Sequence, residues 1–276
     1  MPKATDFKAV NMKKVSDAFM SARKGARHLD AYPGELPDTL DEAYSIQFRS
    51  ISEWPKRVVG WKVGGIPANL QEKHKESRLG GAFFSDMIYK VSPQNDEIDM
   101  PCYEGGFAAI EPELMLEVGQ TIRPGSVDPE KDDISDLISA VYIGVEIASS
   151  PLKTLNDLGP TSIISDFGNN NGIILGAEIP NWKSVDFDTM EVRTEISHGL
   201  NVTAMAGSTE GGPLGALAFL LRHFKRYGVT MKKGTLISSG AITGVHKSEI
   251  GDTSQIYFGD YPPIKLRLVK AQPRTD

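Results

Sequence analysis

The sequence predicts an α+β fold, and three observations predict it. Helical periodicity is concentrated near the N-terminus and in one later segment. From residue 57 onward short apolar and alternating runs, cut by turn signals, dominate. The two patterns do not alternate as regular βαβ units, which argues against a doubly wound sheet. The expected organisation is a helical N-terminal region, 1–56, followed by a β-rich metal-binding core, 57–276.

Residues 9–27 read as a helix with Val10, Val15, Phe19 and Met20 on its apolar face. Residues 31–37 form a Pro/Gly loop. A second helix starts at Thr39 and Glu42, which have capping-box spacing. Leu40, Tyr44, Phe48 and Ile51 make its stripe, and Trp54-Pro55 ends it. Strands then dominate 58–119. Residues 126–133 are a charged loop, and 134–139 a short helix leading into an apolar strand, 140–148. Ile173-Ile174-Leu175 is another buried strand. Alternation over 191–205 around His198-Gly199 predicts a hairpin. Gly211-Gly212-Pro213 opens a strong helix, with Pro213 in its first turn and Gly228 as its stop. Leu214, Leu217, Ala218, Leu221 and Phe224 form its buried face, with His223 pointing outward. Strands return over 235–269.

Length and composition bound the function classes. At 276 residues the chain can bury a sizeable core. Apolar content is 40%, and the net charge of −6 without a basic patch argues against a nucleic-acid partner. A single cysteine, Cys102, excludes an intramolecular disulfide and fits a reducing compartment. It reads as a small core residue. The polar start lacks an apolar signal core, and no run reaches membrane-spanning length. A cytoplasmic location is expected.

The chemistry is concentrated in Ile110-Glu111-Pro112-Glu113-Leu114-Met115-Leu116. Positions i and i+2 of a strand face one way, with Cα atoms roughly 7 Å apart at about 3.3 Å per residue. Two carboxylates on one face repel unless a hard cation takes their oxygens. Proline suits a strand edge or start, and two solvated glutamates on an exposed edge give the same string. In Ala140-Val141-Tyr142-Ile143-Gly144-Val145-Glu146-Ile147-Ala148, Glu146 is the only charge. There it is either a strand-end residue reaching water or a third carboxylate that needs a partner. Three carboxylates on two strands make a facial site for Mg2+ or Mn2+, with positions left for substrate and water. Glu117 shares the parity but lies roughly 13 Å from Glu113 along an extended strand. In Val58-Val59-Gly60-Trp61-Lys62-Val63-Gly64-Gly65, Lys62 is either an ordinary strand lysine or a cation held where a ligand nears the backbone. The second role supplies the charge that an anionic substrate needs beside an acidic metal site.

Other chemistries lack their patterns. There is no GxSxG elbow, CxxC pair, HExxH or P-loop. His28, His74, His198, His223 and His246 have no ligand spacing, and the Gly-rich start at 211 reads as a tight turn before an anion site.

With these residues in hand, the chain resembles the hydratase/decarboxylase branch of the fumarylacetoacetate hydrolase superfamily. The resemblance runs from about Leu36 to about Val269. It rests on the order of Asp41-Glu42-Ala43-Tyr44-Ser45-Ile46-Gln47, Gly60-Trp61-Lys62-Val63-Gly64, Gly81-Ala82-Phe83-Phe84-Ser85-Asp86-Met87, the Glu111/Glu113 pair, the Glu146 strand, and Gly234-Thr235-Leu236-Ile237-Ser238-Ser239-Gly240-Ala241. It implies a β-rich roll or barrel core behind the helical N-terminal region. It implies Glu111, Glu113 and Glu146 as ligands of Mg2+ or Mn2+, with Lys62 and Asp86 lining the substrate site. Asp86 is then the candidate for proton transfer or for orienting water, or else a turn residue. Ser239 is a further candidate for the substrate carboxylate.

The implied activity is hydration of a 2-hydroxy-2,4-dienoate of the 2-keto-4-pentenoate type, as in aromatic meta-cleavage catabolism. A homo-oligomer, and a partner enzyme of the same pathway, are also implied. Decarboxylation of a 2-keto diacid of the 4-oxalocrotonate type is the near alternative, for which an additional basic residue such as Arg78 counts. Carbon–carbon hydrolysis needs a His/Glu dyad to which His74 and Glu76 do not match. A non-catalytic metal-stabilised binding protein is the remote alternative. Two stretches depart from the family pattern: the charged segment 66–80, and Ser165-Asp166-Phe167-Gly168-Asn169-Asn170-Asn171-Gly172, where relatives carry a run like Ala-Asp-Asn-Ala-Ser.

Overall fold

The computed structural model describes residues 4–91 and 97–274. Two helices come first, α1 (Ala4–Lys24) and α2 (Leu40–Glu53). The Thr39 hydroxyl caps α2 by accepting from the Glu42 N–H, and Trp54 turns extended where Pro55 forbids another turn. The Glu42 carboxylate accepts from the Asp38 N–H, one residue before the expected reciprocal partner.

Strands follow: β1 (Val58–Gly65), then the short helix α3 (Ala68–His74), β2 (Arg78–Phe84), β3 (Ile88–Lys90), β4 (Ile98–Cys102), β5 (Phe107–Val118) and β6 (Ile138–Ser150). The charged 66–80 segment is thus α3 and the start of β2. Helix α4 (Pro160–Ser165) and strand β7 (Asn170–Glu178) come next, then the hairpin β8 (Glu191–Ile196) and β9 (Leu200–Met205). Helix α5 (Gly215–Tyr227) precedes β10 (Leu236–Ser238), β11 (His246–Lys247), β12 (Thr253–Phe258) and β13 (Ile264–Lys270).

Among the described residues one sheet runs β2-β1-β10-β5-β6-β7-β3, with β11 added on β5. A second runs β4-β13-β12-β8-β9. The expected α+β class holds. One face of the large sheet, with Trp61, Val63, Leu114, Leu116 and Ile237, packs on α5 and on Ile256, Phe258, Leu266 and Leu268 of the small sheet. Each such buried side chain contributes about 1.5–3 kcal/mol. The other face carries Phe83, Phe84, Met115, Phe167 and Ile173. The first two helices close over that side of the molecule through Val15, Phe19 and Ile46 against Leu152 and Leu155, and Ala43 and Tyr44 against Leu79 and Ile164. Cys102 is a buried core residue, as expected.

Three local expectations need correction. Pro112 lies in an interior strand, not at an edge. Its carbonyl accepts from the Ile242 N–H, so its side of the strand faces the interval between β10 and β11, where the chain leaves the ladder. A residue's N–H and C=O point to the same side of an antiparallel strand, so the missing N–H breaks no ladder bond. Pro213 lies in the turn before α5, which starts at Gly215; Gly228 ends it in the left-handed conformation as expected (φ 68°).

His223 does not point outward. It is buried among Tyr44, Phe219 and Tyr227, with ring centroids 4.4, 5.3 and 4.7 Å away, because α2 covers that flank of α5. Its Nε2 has no hydrogen-bond partner among the described residues. Burial, reinforced by Arg226 and only partly offset by Asp41, lowers its pKa to about 3. A histidine kept neutral in the fold but protonated below about pH 6.5 in the unfolded chain costs stability as pH falls toward 3. We expect His223→Phe to gain on the wild type by on the order of 2–3 kcal/mol between pH 7 and pH 4.5. Urea midpoints at both pH values test this, and a pH-independent difference would refute it. No described helix is long and apolar enough to cross a membrane.

Candidate metal centre

Strands β5 and β6 pair in antiparallel register with Glu111 directly opposite Glu146. Glu113 lies two residues along the same face. One oxygen from each of the three carboxylates falls within 4.8 Å of the others, and all three residues are buried. Like charges opposite each other destabilise a sheet, and burial raises that cost.

Lys62 arrives from the other side. β1 pairs with β10 so that Lys62 lies beside Ser238, and Ser238 beside Met115, which shares a face with Glu113. The Lys62 ammonium is 3.5 Å from Glu146 Oε1 and donates to Asn169 Oδ1 at 3.2 Å. The remaining partners are short-range. Ser238 Oγ donates to Glu113 Oε2, as does the Gly240 N–H at 2.9 Å. Asn170 Nδ2 donates to Glu146 Oε1 at 2.9 Å.

The charges do not balance. Burial, together with Glu146 and Glu111, holds the Glu113 carboxyl well above the usual carboxylate range. Burial pushes Glu111 to about 7, with Lys62 pulling down and Glu146 pushing up. Burial alone would lower the Lys62 pKa, yet the three carboxylates outweigh it and raise it, so the ammonium stays charged. With all three carboxylates ionised, one ammonium would leave an excess of two negative charges, and the raised Glu111 and Glu113 pKa values express that cost in the metal-free protein. Glu113 Oε1, Glu146 Oε2 and Asn170 Oδ1 also have no hydrogen-bond partner among the described residues. Hard oxygen acceptors, unpartnered and in charge excess, fit a divalent cation such as Mg2+ or Mn2+.

Of the expected site residues, the structure brings Glu111, Glu113, Glu146 and Lys62 together. It does not bring Asp86 or Ser239 to them. Asp86 lies on the turn after β2 in an ion pair with Arg274. It lines a cavity of about 490 Å³ with Arg23, Lys24, Trp54 and Tyr103, which contains none of the three carboxylates. Ser239 Oγ accepts from the Leu114 N–H at 3.3 Å. Neighbouring strand residues face opposite ways, and the hydroxyl at the carboxylates belongs to Ser238. A second cavity, of about 460 Å³ around Phe48, Trp61 and Met231, also excludes the carboxylates. The site is assigned to the carboxylates because they carry the charge imbalance.

Sequence reasoning missed Ser238, Asn169 and Asn170. The amides belong to the segment that departs from the family pattern. Phe167, Gly168 and Asn169 all have left-handed backbones, with φ of 53°, 66° and 62°. The chain there lies directly on β2: a Cβ on Gly81 would come 2.0 Å from the Phe167 carbonyl oxygen, and one on Gly168 would come 3.0 Å from Lys62 Cδ. Three consecutive amides after a glycine were the available signal, since asparagine tolerates this region. Arg78, from the other departing segment, is buried, pairs with Glu210 at 3.6 Å and feels the charge of Glu113.

No family model matches the chain. Among curated proteins it is 24% identical over 244 residues to the 2-keto-4-pentenoate hydratase of Paraburkholderia xenovorans strain LB400, covering 86% of this chain and 87% of that one. It is 26% identical over 216 residues to a 4-oxalocrotonate decarboxylase of a Pseudomonas species, covering 76% and 79%. Among solved structures, the 4-oxalocrotonate decarboxylase of Pseudomonas putida G7, complexed with magnesium and adipate, superposes with a TM-score of 0.78 at 18% identity, covering 98% of this chain and 99% of that one. Over most of its length the chain therefore resembles in sequence, and shares the fold of, the hydratase and decarboxylase branch of the fumarylacetoacetate hydrolase superfamily.

Proposed function

We propose that the protein is a metal-dependent hydratase of a 2-hydroxy-2,4-dienoate. The observation that carries this is the buried Glu111/Glu113/Glu146 cluster with Lys62 paired to it. A divalent cation held there supplies a Lewis acid for a substrate carrying a carboxylate and an adjacent enol oxygen. The chain's own residues do the rest. Ser238 and the Gly240 N–H fix Glu113, and Asn170 fixes Glu146, so the ligand set needs little rearrangement. Lys62, kept charged by its surroundings, pairs with the substrate carboxylate, with Asn169 setting the ammonium's direction. Burial of the face excludes bulk water and strengthens both interactions. In the overall reaction the enol proton leaves oxygen and a proton arrives at C5. The hydroxyl of water then joins C4 and its proton C3, giving a 4-hydroxy-2-keto acid. Asp86, held by Arg274, is assigned no step in this reading.

A second reading keeps the site and changes the bond broken. Decarboxylation of a 2-keto diacid needs a second basic group, and Arg78 is a buried cation close enough to feel Glu113. Turnover of 2-hydroxypenta-2,4-dienoate, followed by ultraviolet absorbance with and without Mg2+, tests the primary reading. The expected result is Mg2+-dependent loss of the dienol with 4-hydroxy-2-oxopentanoate as product. Carbon dioxide release from 4-oxalocrotonate, with the dienol untouched, would replace hydration by decarboxylation. Inactivity on both would overturn both readings.

A further inference from the structure

Behind the acidic cluster lies a buried ion pair that makes no contact with its carboxylates among the described residues. Arg23, in the last turn of α1, has a fully buried side chain, as does its partner Asp166. Arg23 Nε and Nη2 grip the two Asp166 oxygens as a fork, the second at 3.0 Å. Nη1 donates to the Asn170 carbonyl at 2.9 Å and to Asn171 Oδ1 at 3.3 Å. Nη2 also reaches the Ser149 carbonyl at 3.1 Å. Ser150 Oγ donates to Asp166 Oδ2 at 2.6 Å. One guanidinium thus ties α1 to the end of β6, to the start of β7 and to the residue before the left-handed stretch Phe167–Asn169.

That stretch is costly for Phe167 and Asn169, and such conformations persist only where the surroundings over-determine them. Its product is the placement of Asn169 Oδ1 on Lys62 and Asn170 Nδ2 on Glu146. The geometry points to Arg23 and Asp166 as a positioning pair for the metal centre: they hold the left-handed turn 167–169, and the extended Asn170 that follows it, so as to aim these two amides. This inference rests on the divalent-cation reading of the carboxylates.

The test is Mn2+ affinity of the metal-free protein, read by loss of the free-ion paramagnetic signal, alongside the melting temperature. Groups that orient metal ligands typically change affinity 10–100-fold when lost. Asp166→Asn is expected to weaken Mn2+ binding at least about tenfold on that basis, and Asn170→Ala comparably. The double variant should be no weaker than the weaker single, because both act through one chain of contacts. Ser16→Ala, which removes the buried Ser16–Ser50 hydrogen bond between α1 and α2, should lower the melting temperature without moving Mn2+ affinity. A folded Asp166→Asn with wild-type affinity overturns the proposal. If that variant does not fold, Ser150→Ala decides, since it removes one bond to Asp166 and spares the ion pair. A several-fold loss supports the pair's role, and an unchanged affinity overturns it. Failure of the wild type to bind Mn2+ would overturn the cation reading and this inference with it.

Discussion

Glu113→Gln is expected to make the metal-free protein more stable and insensitive to divalent cations. In the wild type Glu113 is fully buried, one of its oxygens has no partner, and two further carboxylates face it. Its folded pKa is raised, by burial first and then by Glu146 and Glu111. A carboxyl whose folded value is raised contributes stability that is complete below its unfolded value and is lost as pH rises. The gain of the variant should therefore be near zero at pH 4 and grow as pH rises toward 7. Glutamine keeps an oxygen for Ser238 and the Gly240 N–H, and offers donors where Glu113 Oε1 has none. The wild type should gain about 2.7 kcal/mol at a cation concentration a hundred times Kd, and the variant almost nothing. Turnover should fall by about 10³, since Lewis-acid stabilisation is worth several kcal/mol at 1.36 kcal/mol per decade. Melting temperatures with and without Mg2+, at pH 4 and pH 7, measure all of this except turnover. A variant that Mg2+ still stabilises as it does the wild type removes Glu113 from the ligand set.

The clustering of the three carboxylates was legible because it depends on the shortest-range rule available. Parity puts Glu111 and Glu113 on one face whatever the rest of the fold does, and an apolar run flags its lone charge, Glu146. What parity cannot give is which strands adjoin. The pairing of β1 with β10, and of β10 with β5, brings Lys62, Ser238 and Glu113 together from positions far apart in the chain. The hydroxyl beside Glu113 belongs to Ser238 and not to Ser239 for this reason: a one-residue difference is a change of face, and the face is set by register, not composition. Asp86 lies apart from the carboxylates for a different reason. Its turn was legible, but its partner Arg274 comes from near the end of the chain. His223 lay on a stripe that looked narrow because α2 covers its flank, and that covering is a tertiary fact. The α+β class survived these local errors because it rests on the distribution of whole periodic segments. The Asn169 and Asn170 contacts depend on three left-handed residues in a row, a conformation that local propensity disfavours.

Lys62→Met should behave as the reverse of Glu113→Gln. Methionine keeps a stem of similar length beside Gly168 and removes the only cation that, among the described residues, pairs with the cluster. The metal-free protein then holds three buried carboxylates with no counter-charge. Breaking a buried ion pair by removing one partner costs about 3–5 kcal/mol, and a large loss in melting temperature is expected. A divalent cation should restore most of it, because it supplies the charge that the ammonium no longer does. The ammonium also repels an incoming cation, so Mn2+ affinity should rise in the variant. The specificity constant kcat/KM should nonetheless fall by about 10²–10³, as for loss of one oriented electrostatic contact to a bound anion. The loss should fall mainly on KM if Lys62 pairs with the substrate carboxylate equally in the ground and transition states. Tighter metal binding combined with poorer catalysis is a pattern that general damage to the fold cannot produce. If instead Lys62→Met weakens Mn2+ binding and turnover together, Lys62 supports the ligands and has no contact with substrate. If neither changes, it is an ordinary strand lysine despite its burial.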